Sequence, residues 1–217
     1  MARTHRCFLQ TSWLKDQSKR AFDLVFSLLL LIIGSPLFLL IAIGVYSTSR
    51  GPIIHKQIRI GKKGKPFYLY KFRTMEKNAE NLLQDLLAKN ESWKKEWQAF
   101  CKLKNDPRIT PFGRFLRKTS LDELPQFWNV LWGDLSVVGP RPMFFHEIEE
   151  YVKEKAKKIL SVKPGITGIW QVSGRSLLSM QERVLLEEQY VDRRSFFFDM
   201  KLIGQTIKVL VFSKGAY

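Results

Sequence analysis

The sequence predicts a mixed α/β, mainly helical protein in which a single compact domain follows a membrane helix. Three observations predict this class: an uncharged apolar run of membrane-spanning length, apolar residues that recur at helical spacing, and one short segment with strand-like runs around a turn. A chain of 217 residues suits one compact domain. The predicted segments are a basic interfacial segment (1–20), a membrane helix (21–50) and the compact domain (51–217).

Net charge and composition limit the classes of function. With 36 Lys and Arg residues against 20 Asp and Glu, the formal charge is +16, which requires an anionic partner such as nucleic acid, anionic lipid or a phosphorylated substrate. The hydrophobic content of 45% excludes a disordered chain. Cys7 and Cys101 lie far apart and fit no zinc spacing, so a disulfide framework is excluded and a reducing compartment is favoured.

Residues 24–46 form an apolar run without a charged residue. A helix of this length extends about 35 Å at about 1.5 Å per residue, which is enough to cross a bilayer core of about 30 Å. Ser35 and Pro36 lie in the middle of the run. Because proline removes a backbone hydrogen bond, the helix is expected to kink or break there, and the Ser35 hydroxyl can bond the freed carbonyl groups.

Basic residues flank this run on both sides, with five in residues 1–20 and eight in residues 50–73. The positive-inside rule places such flanks on the cytoplasmic side of a membrane. A re-entrant helix–break–helix at Ser35–Pro36, which enters one leaflet and returns, satisfies both flanks. An ordinary kinked transmembrane helix and a buried core helix of a soluble protein remain as alternatives.

The remaining elements follow from local patterns. Strand-like residues at 53–60 and 66–70 flank a Gly-Lys-Lys-Gly turn and predict a hairpin. Helical spacing and capping signals predict helices at 75–88, 91–103, 114–132 (interrupted near Pro125), 146–160, and from Ser179 to about Arg194. Turns or loops are expected at 105–111, 138–142 and 162–176. Residues 195–212 either pack on the core or lie in the membrane interface as an amphipathic helix.

The clearest chemical signal is the adjacent pair Asp122 and Glu123. Since Pro125 favours the first turn of a helix, both carboxylates are expected at or just before a helix N-terminus, which attracts phosphate and keeps a carboxylate ionised. An ionised aspartate can attack a phosphate as a nucleophile, and its neighbour can act as a base or hold a divalent ion. Helix capping by Ser120 and Glu123 is the alternative, and on spacing alone it is the more common role.

Four basic residues are candidate phosphate ligands. They are Lys71 and Arg73 in KFRTM, Arg141 in VGPRP and Arg175 in VSGRS. Arginine suits two-point contacts with phosphate, and several such residues suggest a diphosphate ligand. Each residue taken alone is more often a solvated surface charge. The sequence contains no P-loop, no Rossmann glycine motif and no zinc motif.

These motifs resemble the bacterial sugar transferase family, the monotopic phosphoglycosyl transferases that initiate polysaccharide or glycoconjugate assembly. The resemblance runs from about residue 18 to residue 212 and rests on KFRTM, NDPRIT, GRFLRKTSLDELPQFWNVLWGDLSVVGPRP, VKPGITGIWQVSGRS and YVDRRSFFFDMKLIGQTIKVL. It implies transfer of a sugar-1-phosphate from a UDP-sugar to polyprenyl phosphate, usually undecaprenyl phosphate. The implied route passes through a covalent aspartyl-phosphosugar intermediate and releases UMP.

The resemblance also implies roles for the candidate residues. Asp122 is implied as the nucleophile, with Mg²⁺ beside it and Glu123 as its partner. The diphosphate is expected at or near four basic residues: Lys71, Arg73, Arg141 and Arg175. Ser35 and Pro36 match the family's re-entrant break. The insert around residues 76–104 is similar to that of members that transfer galactose- or glucose-1-phosphate.

The implied partners are a UDP-sugar, a polyprenyl phosphate and membrane lipids, with no nucleic acid, and a homodimer is left open. The implied location is the cytoplasmic face of the bacterial inner membrane, with residues 51–217 as the catalytic domain. Because few residues precede the membrane run, a minimal catalytic unit is expected. Two other functions remain as alternatives, namely a membrane-tethered nucleic-acid-binding module and a non-enzymatic scaffold of a polysaccharide assembly complex.

Overall fold

The computed structural model describes residues 2–49, 51–100, 103–174 and 178–212. Helices dominate this part of the chain, and its strands form two separate two-stranded sheets, so the mixed, mainly helical class is confirmed. The chain divides into two compact units. The described residues of Met1–Ser35, Lys56–Tyr70 and Pro125–Ser213 form the first unit, and Pro36–His55 and Lys71–Leu124 belong to the second. Since residues 51–217 contribute to both units, their assignment to one catalytic domain stays a prediction.

The elements are numbered in chain order over the described residues. The helices are α1 (Ala2–Ile33), α2 (Ser35–Ser49), α3 (Ala79–Lys89), α4 (Glu91–Phe100), α5 (Pro111–Thr119), α6 (Gln126–Trp132), α7 (Phe145–Glu147), α8 (Ala156–Ile159), α9 (Ile169–Val172), α10 (Met180–Arg193) and α11 (Phe196–Phe212). The strands are β1 (Ile54–Ile60), β2 (Pro66–Phe72), β3 (Ser136–Val138) and β4 (Gly165–Thr167). The predicted helix at 146–160 is divided into short pieces by a π-helix at Ile148–Val152 and a 3₁₀ helix at Lys153–Lys155.

The apolar run lies on two helices that meet at a sharp bend. The first helix ends at Ile33, the second begins at Ser35, and their axes differ by 64°. Pro36 occupies the first turn of α2, where its missing N–H costs no intrahelical hydrogen bond. Among the described residues no single helix is long and apolar enough to cross a membrane, and the two helices of the bent pair meet the requirement of length and composition only when taken together. The re-entrant path through a membrane stays a prediction.

Helix α2 has two different faces. On one face Ile41 and Val45 pack with Phe72 and Leu116 to form the core of the second unit. Large apolar side chains on the remaining surface are exposed: Leu37, Leu39, Leu40, Ile43 and Tyr46. A contiguous exposed apolar surface of this kind marks a protein or membrane interaction site. The helix is therefore part of a protein core on one side only.

Buried and partly buried polar side chains hold α1 in place within the first unit. The Lys19 ammonium forms an ion pair with Asp199 at 2.5 Å and donates a hydrogen bond to the carbonyl oxygen of Val138 at 3.0 Å. The Tyr190 hydroxyl lies 2.9 Å from the same Asp199 carboxylate. The Asp23 carboxylate accepts a hydrogen bond from the Val137 backbone N–H at 3.0 Å. These contacts join α1 to β3, α10 and α11.

The second sheet was not predicted. Strands β3 and β4 pair in parallel, with Ser136 opposite Gly165 and Val138 opposite Thr167. The prediction of a loop at 162–176 is therefore wrong over β4 and α9. The strand could not be predicted, because three residues are too few to show an alternating pattern. A side chain at Gly165 would collide with the backbone of Gly139, so glycine is what permits this close approach.

Two local predictions are confirmed at the level of single residues. Strands β1 and β2 form the expected hairpin, and its turn is closed by a hydrogen bond from the Gly61 N–H to the Lys65 carbonyl oxygen at 2.8 Å. At the start of α10, Ser179 and Glu182 form the expected capping box: the Ser179 N–H donates to the Glu182 carboxylate, and the Glu182 N–H donates to the Ser179 hydroxyl.

Candidate functional site

Asp122 and Glu123 lie in the short connection between helices α5 and α6. Helix α5 ends at Thr119, Ser120 adopts a left-handed conformation with φ of 57°, and Leu121–Glu123 form one turn of 3₁₀ helix before α6 begins. The position of the pair just before a helix is therefore as predicted. The capping alternative is wrong for Ser120, because its side chain makes no capping hydrogen bond and its backbone instead closes α5.

Asp122 is an acid in an unfavourable environment. Only 8% of the residue is exposed, and its carboxylate has no hydrogen bond from any other described residue. Burial raises the pKa of Asp122 to about 6, the charges of Lys71 and Arg117 lower it, and the neighbouring Glu123 raises it. The carboxylate is thus mostly ionised at neutral pH but close to its titration point. Uncommitted, desolvated carboxylates of this kind are candidates for nucleophiles and general bases.

Lys71 connects the two candidate groups. Its ammonium lies 2.7 Å from the Glu123 carboxylate, and its charge is the largest favourable influence on ionised Asp122. The lysine belongs to β2, so a strand places it opposite the carboxylate turn. Among the predicted phosphate ligands that lie in the described part of the chain, Lys71 is therefore the one that the structure brings to Asp122 and Glu123.

Other positively charged side chains lie in the same unit as Asp122. Arg73 has a buried Nε atom without a hydrogen-bond partner among the described residues. Partial burial and the charges of Arg73 and Lys71 lower the pKa of His55, and Arg117 acts in the same direction. This concentration of positive charge is suited to an anionic ligand.

Arg117 is a site residue that sequence reasoning missed. Its Nε atom donates a hydrogen bond to the Thr74 hydroxyl at 2.9 Å, and its charge lowers the pKa of Asp122. Thr74 follows Arg73 in KFRTM, so this bond ties that motif to the helix that precedes the carboxylates. The available signal was spacing: Arg117 lies in the last turn of a helix that ends three residues before Asp122.

The two remaining predicted residues are not brought to the carboxylates by any described contact. Arg141 belongs to the first unit, where its guanidinium lies 4.9 Å from the centre of the Trp170 ring. Its side chain has no hydrogen bond or ion pair with the described part of the chain. Arg175 lies outside the described residues.

The residues around Asp122 are compatible with magnesium but form no protein cage for it. The described residues include no group of three or more His, Cys, Asp or Glu side chains that could hold a metal ion. Magnesium commonly binds through one or two carboxylates and completes its six ligands with water and substrate phosphates. Asp122 and Glu123 would meet that requirement.

Comparison with known proteins identifies the family. The family model described as "Bacterial sugar transferase" matches residues 14–213. The chain therefore belongs to the bacterial sugar transferase family, as its motifs indicated.

Curated relatives carry specific names. Undecaprenyl-phosphate galactose phosphotransferase of Salmonella typhimurium is 46% identical over 201 residues, which are 92% of this chain and 41% of that protein. The exopolysaccharide production protein ExoY of Rhizobium meliloti is 42% identical over 92% of this chain and 88% of its own length. The UDP-glucose:undecaprenyl-phosphate glucose-1-phosphate transferase of Klebsiella pneumoniae is 40% identical over 92% of this chain and 41% of that protein. The chain thus spans about two fifths of two of these relatives and most of the third.

Proposed function

We propose that the chain transfers a sugar-1-phosphate from a UDP-sugar, galactose or glucose in particular, to undecaprenyl phosphate. This reaction would begin the assembly of an exopolysaccharide, O-antigen, capsule or glycoconjugate. Family membership and the names of the relatives support the reaction class. The single observation that carries the mechanism is Asp122, a buried carboxylate with a pKa raised to about 6 beside Lys71 and Glu123.

In the first step an ionised oxygen of Asp122 attacks the phosphorus that bears the sugar. A carboxylate–phosphorus bond forms, the bond from that phosphorus to the bridging oxygen breaks, and UMP leaves with the electron pair. In the second step an oxygen of the polyprenyl phosphate attacks the same phosphorus. The Asp122 carboxylate leaves unchanged, and the product is a polyprenyl-diphosphate-sugar.

The neighbours of Asp122 have separate tasks in this scheme. Lys71 and Arg117 favour the ionised nucleophile and would stabilise charge that develops on the phosphoryl oxygens. When the polyprenyl phosphate arrives protonated, Glu123 accepts its proton. The deprotonated phosphate is then a better nucleophile. Burial of Asp122 removes the water shell that would otherwise weaken these interactions.

The remaining predicted site features are retained as proposals. Asp122 would hold Mg²⁺ together with phosphate oxygens of the donor, and the ion would supply charge neutralisation and orientation when bound. Arg73, Arg141 and Arg175 remain proposed phosphate ligands, on the resemblance of their motifs.

The acceptor is a lipid, and the bent pair α1–α2 would deliver the enzyme to it at the cytoplasmic face of the inner membrane. Its exposed apolar residues and its bend support a re-entrant path. Cysteines placed singly at Ser18 and Lys62 are expected to react with a membrane-impermeant reagent from the cytoplasmic side only. Labelling from opposite sides would contradict the re-entrant path, whereas it would not affect the chemistry proposed for Asp122.

The donor half-reaction tests the mechanism without the lipid. Wild-type protein incubated with UDP-galactose or UDP-glucose, but without acceptor, is expected to release no more than one UMP per active site. Asp122→Asn should release none, whereas Asp85→Asn, which changes an exposed aspartate of α3, should behave as wild type. Release of UMP by Asp122→Asn at the wild-type rate would exclude Asp122 as the nucleophile.

A further inference from the structure

His55 stands directly opposite Lys71 in the hairpin of β1 and β2. The Arg73 N–H donates a hydrogen bond to the Ile53 carbonyl oxygen at 2.9 Å, which sets the register of the two strands. Two residues further into the hairpin, the same register brings His55 opposite Lys71. Side chains of directly opposite residues leave the same face of a sheet, with Cβ atoms about 5 Å apart.

A contact in the next pair of residues agrees with this register. The Lys56 ammonium lies 5.8 Å from the centre of the Tyr70 ring, as expected for residues that stand opposite each other. Successive side chains of a strand alternate between its two faces. Because Phe72 is buried in the core of the second unit, His55 and Lys71 lie on the face that is turned away from this core.

Positive charges of the second unit act on the His55 imidazole. Partial burial lowers its pKa most, and the charges of Arg73 and Lys71 lower it further. Arg117 of α5 also lowers this pKa, whereas the Glu80 carboxylate of α3 raises it. The imidazole makes no hydrogen bond or ion pair with the described part of the chain, and the residue is exposed. It is therefore mainly neutral at pH 7, and its nitrogen atoms are available to a ligand.

Lys71 connects this face of the hairpin to the candidate nucleophile. Its ammonium contacts the Glu123 carboxylate at 2.7 Å, and its charge acts on Asp122. All of these residues, including His55, belong to the second unit. A phosphate group that Asp122 attacks must lie close to Lys71, and it then also lies close to the residue opposite Lys71.

We infer that His55 contacts a phosphate group of the substrate bound at Lys71, and that its imidazole takes a proton from solvent as this anion arrives. The bound phosphate brings negative charge to a place where cations otherwise oppose protonation, so it favours the imidazolium form. The imidazolium then donates a charge-assisted hydrogen bond to the phosphate. This inference rests on the proposed function, which supplies two sources of the phosphate, namely the UDP-sugar and the prenyl phosphate.

Equilibrium binding to full-length Asp122→Asn protein in detergent tests the contact without turnover. The probes are UDP-galactose and a short-chain prenyl phosphate, each measured at pH 6 and pH 8. The diphosphate of UDP-galactose does not titrate in this range, so a change in its affinity reports a group of the protein such as histidine. The parent should bind at least one probe more tightly at pH 6 than at pH 8. The added substitution His55→Gln should weaken that binding roughly fivefold at pH 6 and less at pH 8, because it removes the charge-assisted contact.

The matched control is His146→Gln, which changes an exposed histidine of α7. It should bind both probes as its parent does at both pH values. The probe whose affinity depends on His55 identifies the source of the phosphate. A folded His55→Gln protein that follows its parent with both probes at both pH values would overturn the inference.

A spectroscopic measurement covers the case in which His55→Gln does not fold. The chain contains three histidines, so the NMR signal of His55 is assigned by exclusion with His5→Gln and His146→Gln. In the unaltered Asp122→Asn protein this signal should titrate at higher pH when the effective probe is bound. The same titration with and without each probe would overturn the inference.

The outcome is separable from that of the proposed function. Binding that does not depend on His55 would overturn the inference alone and leave the assignment of Asp122 standing. Failure of the parent to bind either probe would contradict both the inference and the proposed function. Release of UMP by Asp122→Asn would exclude the nucleophile without altering the expected dependence on His55.

Discussion

Asp122 and Asp199 are both almost completely buried aspartates, one in each unit of the chain. Asp199 is fully engaged, because Lys19 and the Tyr190 hydroxyl both contact its carboxylate. Asp122 has charged neighbours but no hydrogen bond from another described residue, and its pKa is raised. The oxygens of Asp199 are engaged in the fold, whereas those of Asp122 have charged neighbours without a hydrogen bond from another described residue, which makes Asp122 the candidate for chemistry.

The largest expected effect is on turnover. Asp122→Asn should reduce the rate of product formation by about 10⁴-fold or more, which is typical when a nucleophile is removed. The same substitution should not lower the free energy of unfolding at pH 8, because it relieves the desolvation of a buried charge. Steady-state assays and chemical denaturation on the same samples check both halves. Loss of folding stability in step with the loss of activity would contradict the comparison.

The next effect concerns the structural aspartate. Asp199→Ala should lower the free energy of unfolding by about 3 kcal/mol, because Lys19 is left without its partner in a mostly buried setting. The exposed Asp192, which pairs with Lys158 at 2.9 Å, provides the matched control. Asp192→Ala should lower the free energy of unfolding much less than Asp199→Ala does, because water screens an exposed ion pair. Equal losses in the two variants would show that burial of the Asp199 ion pair does not determine its contribution.

The pH dependence of activity should report Asp122. Because the pKa of this acid is raised to about 6 in the folded protein, the ionised nucleophile predominates above pH 6. The single-turnover rate is expected to fall about tenfold for each pH unit below that value. The free energy of unfolding should respond in the opposite direction. Between about pH 4 and pH 6 the folded protein keeps the Asp122 proton that the unfolded chain releases, so the contribution of Asp122 to stability falls as the pH rises. A rate that is flat between pH 4 and 7 would exclude Asp122 as the titrating group.

The smallest expected effect is a displacement of that pH profile. Lys71→Met removes the largest influence that favours ionised Asp122, so the acidic limb of the profile should move to higher pH. Lys118→Met, which removes a lysine from the neighbouring helix α5, should leave the limb within a few tenths of a pH unit. An unchanged limb in Lys71→Met would mean that Lys71 acts on Glu123 alone.

Sequence reasoning located Asp122 because Pro125 marks a helix start, and it located the capping box at Ser179 because such motifs are local. It missed Arg117, whose role depends on a contact with Thr74 that lies 43 residues away in the chain. It also missed the parallel pair of β3 and β4, in which three-residue strands carry no periodic signal. Local rules fail where long-range contacts decide the role of a residue.

Glu187 illustrates a signal that was present but unused. Helix α10 buries Val184, Glu187 and Tyr190, which are spaced three residues apart and therefore lie on one face. An acidic residue in an otherwise apolar stripe is a sequence pattern that indicates a buried carboxyl group. Burial raises the pKa of Glu187 to about 8, so the group is mainly neutral at pH 7. This neutral state and the two arginines beside Trp170, Arg141 and Arg183, could not be predicted, because they depend on the packing of three separate segments.

The covalent route through Asp122 is tested most directly by mass spectrometry of the intact protein after incubation with the donor in the absence of lipid acceptor. We predict a mass increase of one hexose phosphate, mapped by peptide analysis to Asp122, and its loss when polyprenyl phosphate is added. Continued formation of lipid-linked product by protein that never carries this adduct would contradict the covalent route.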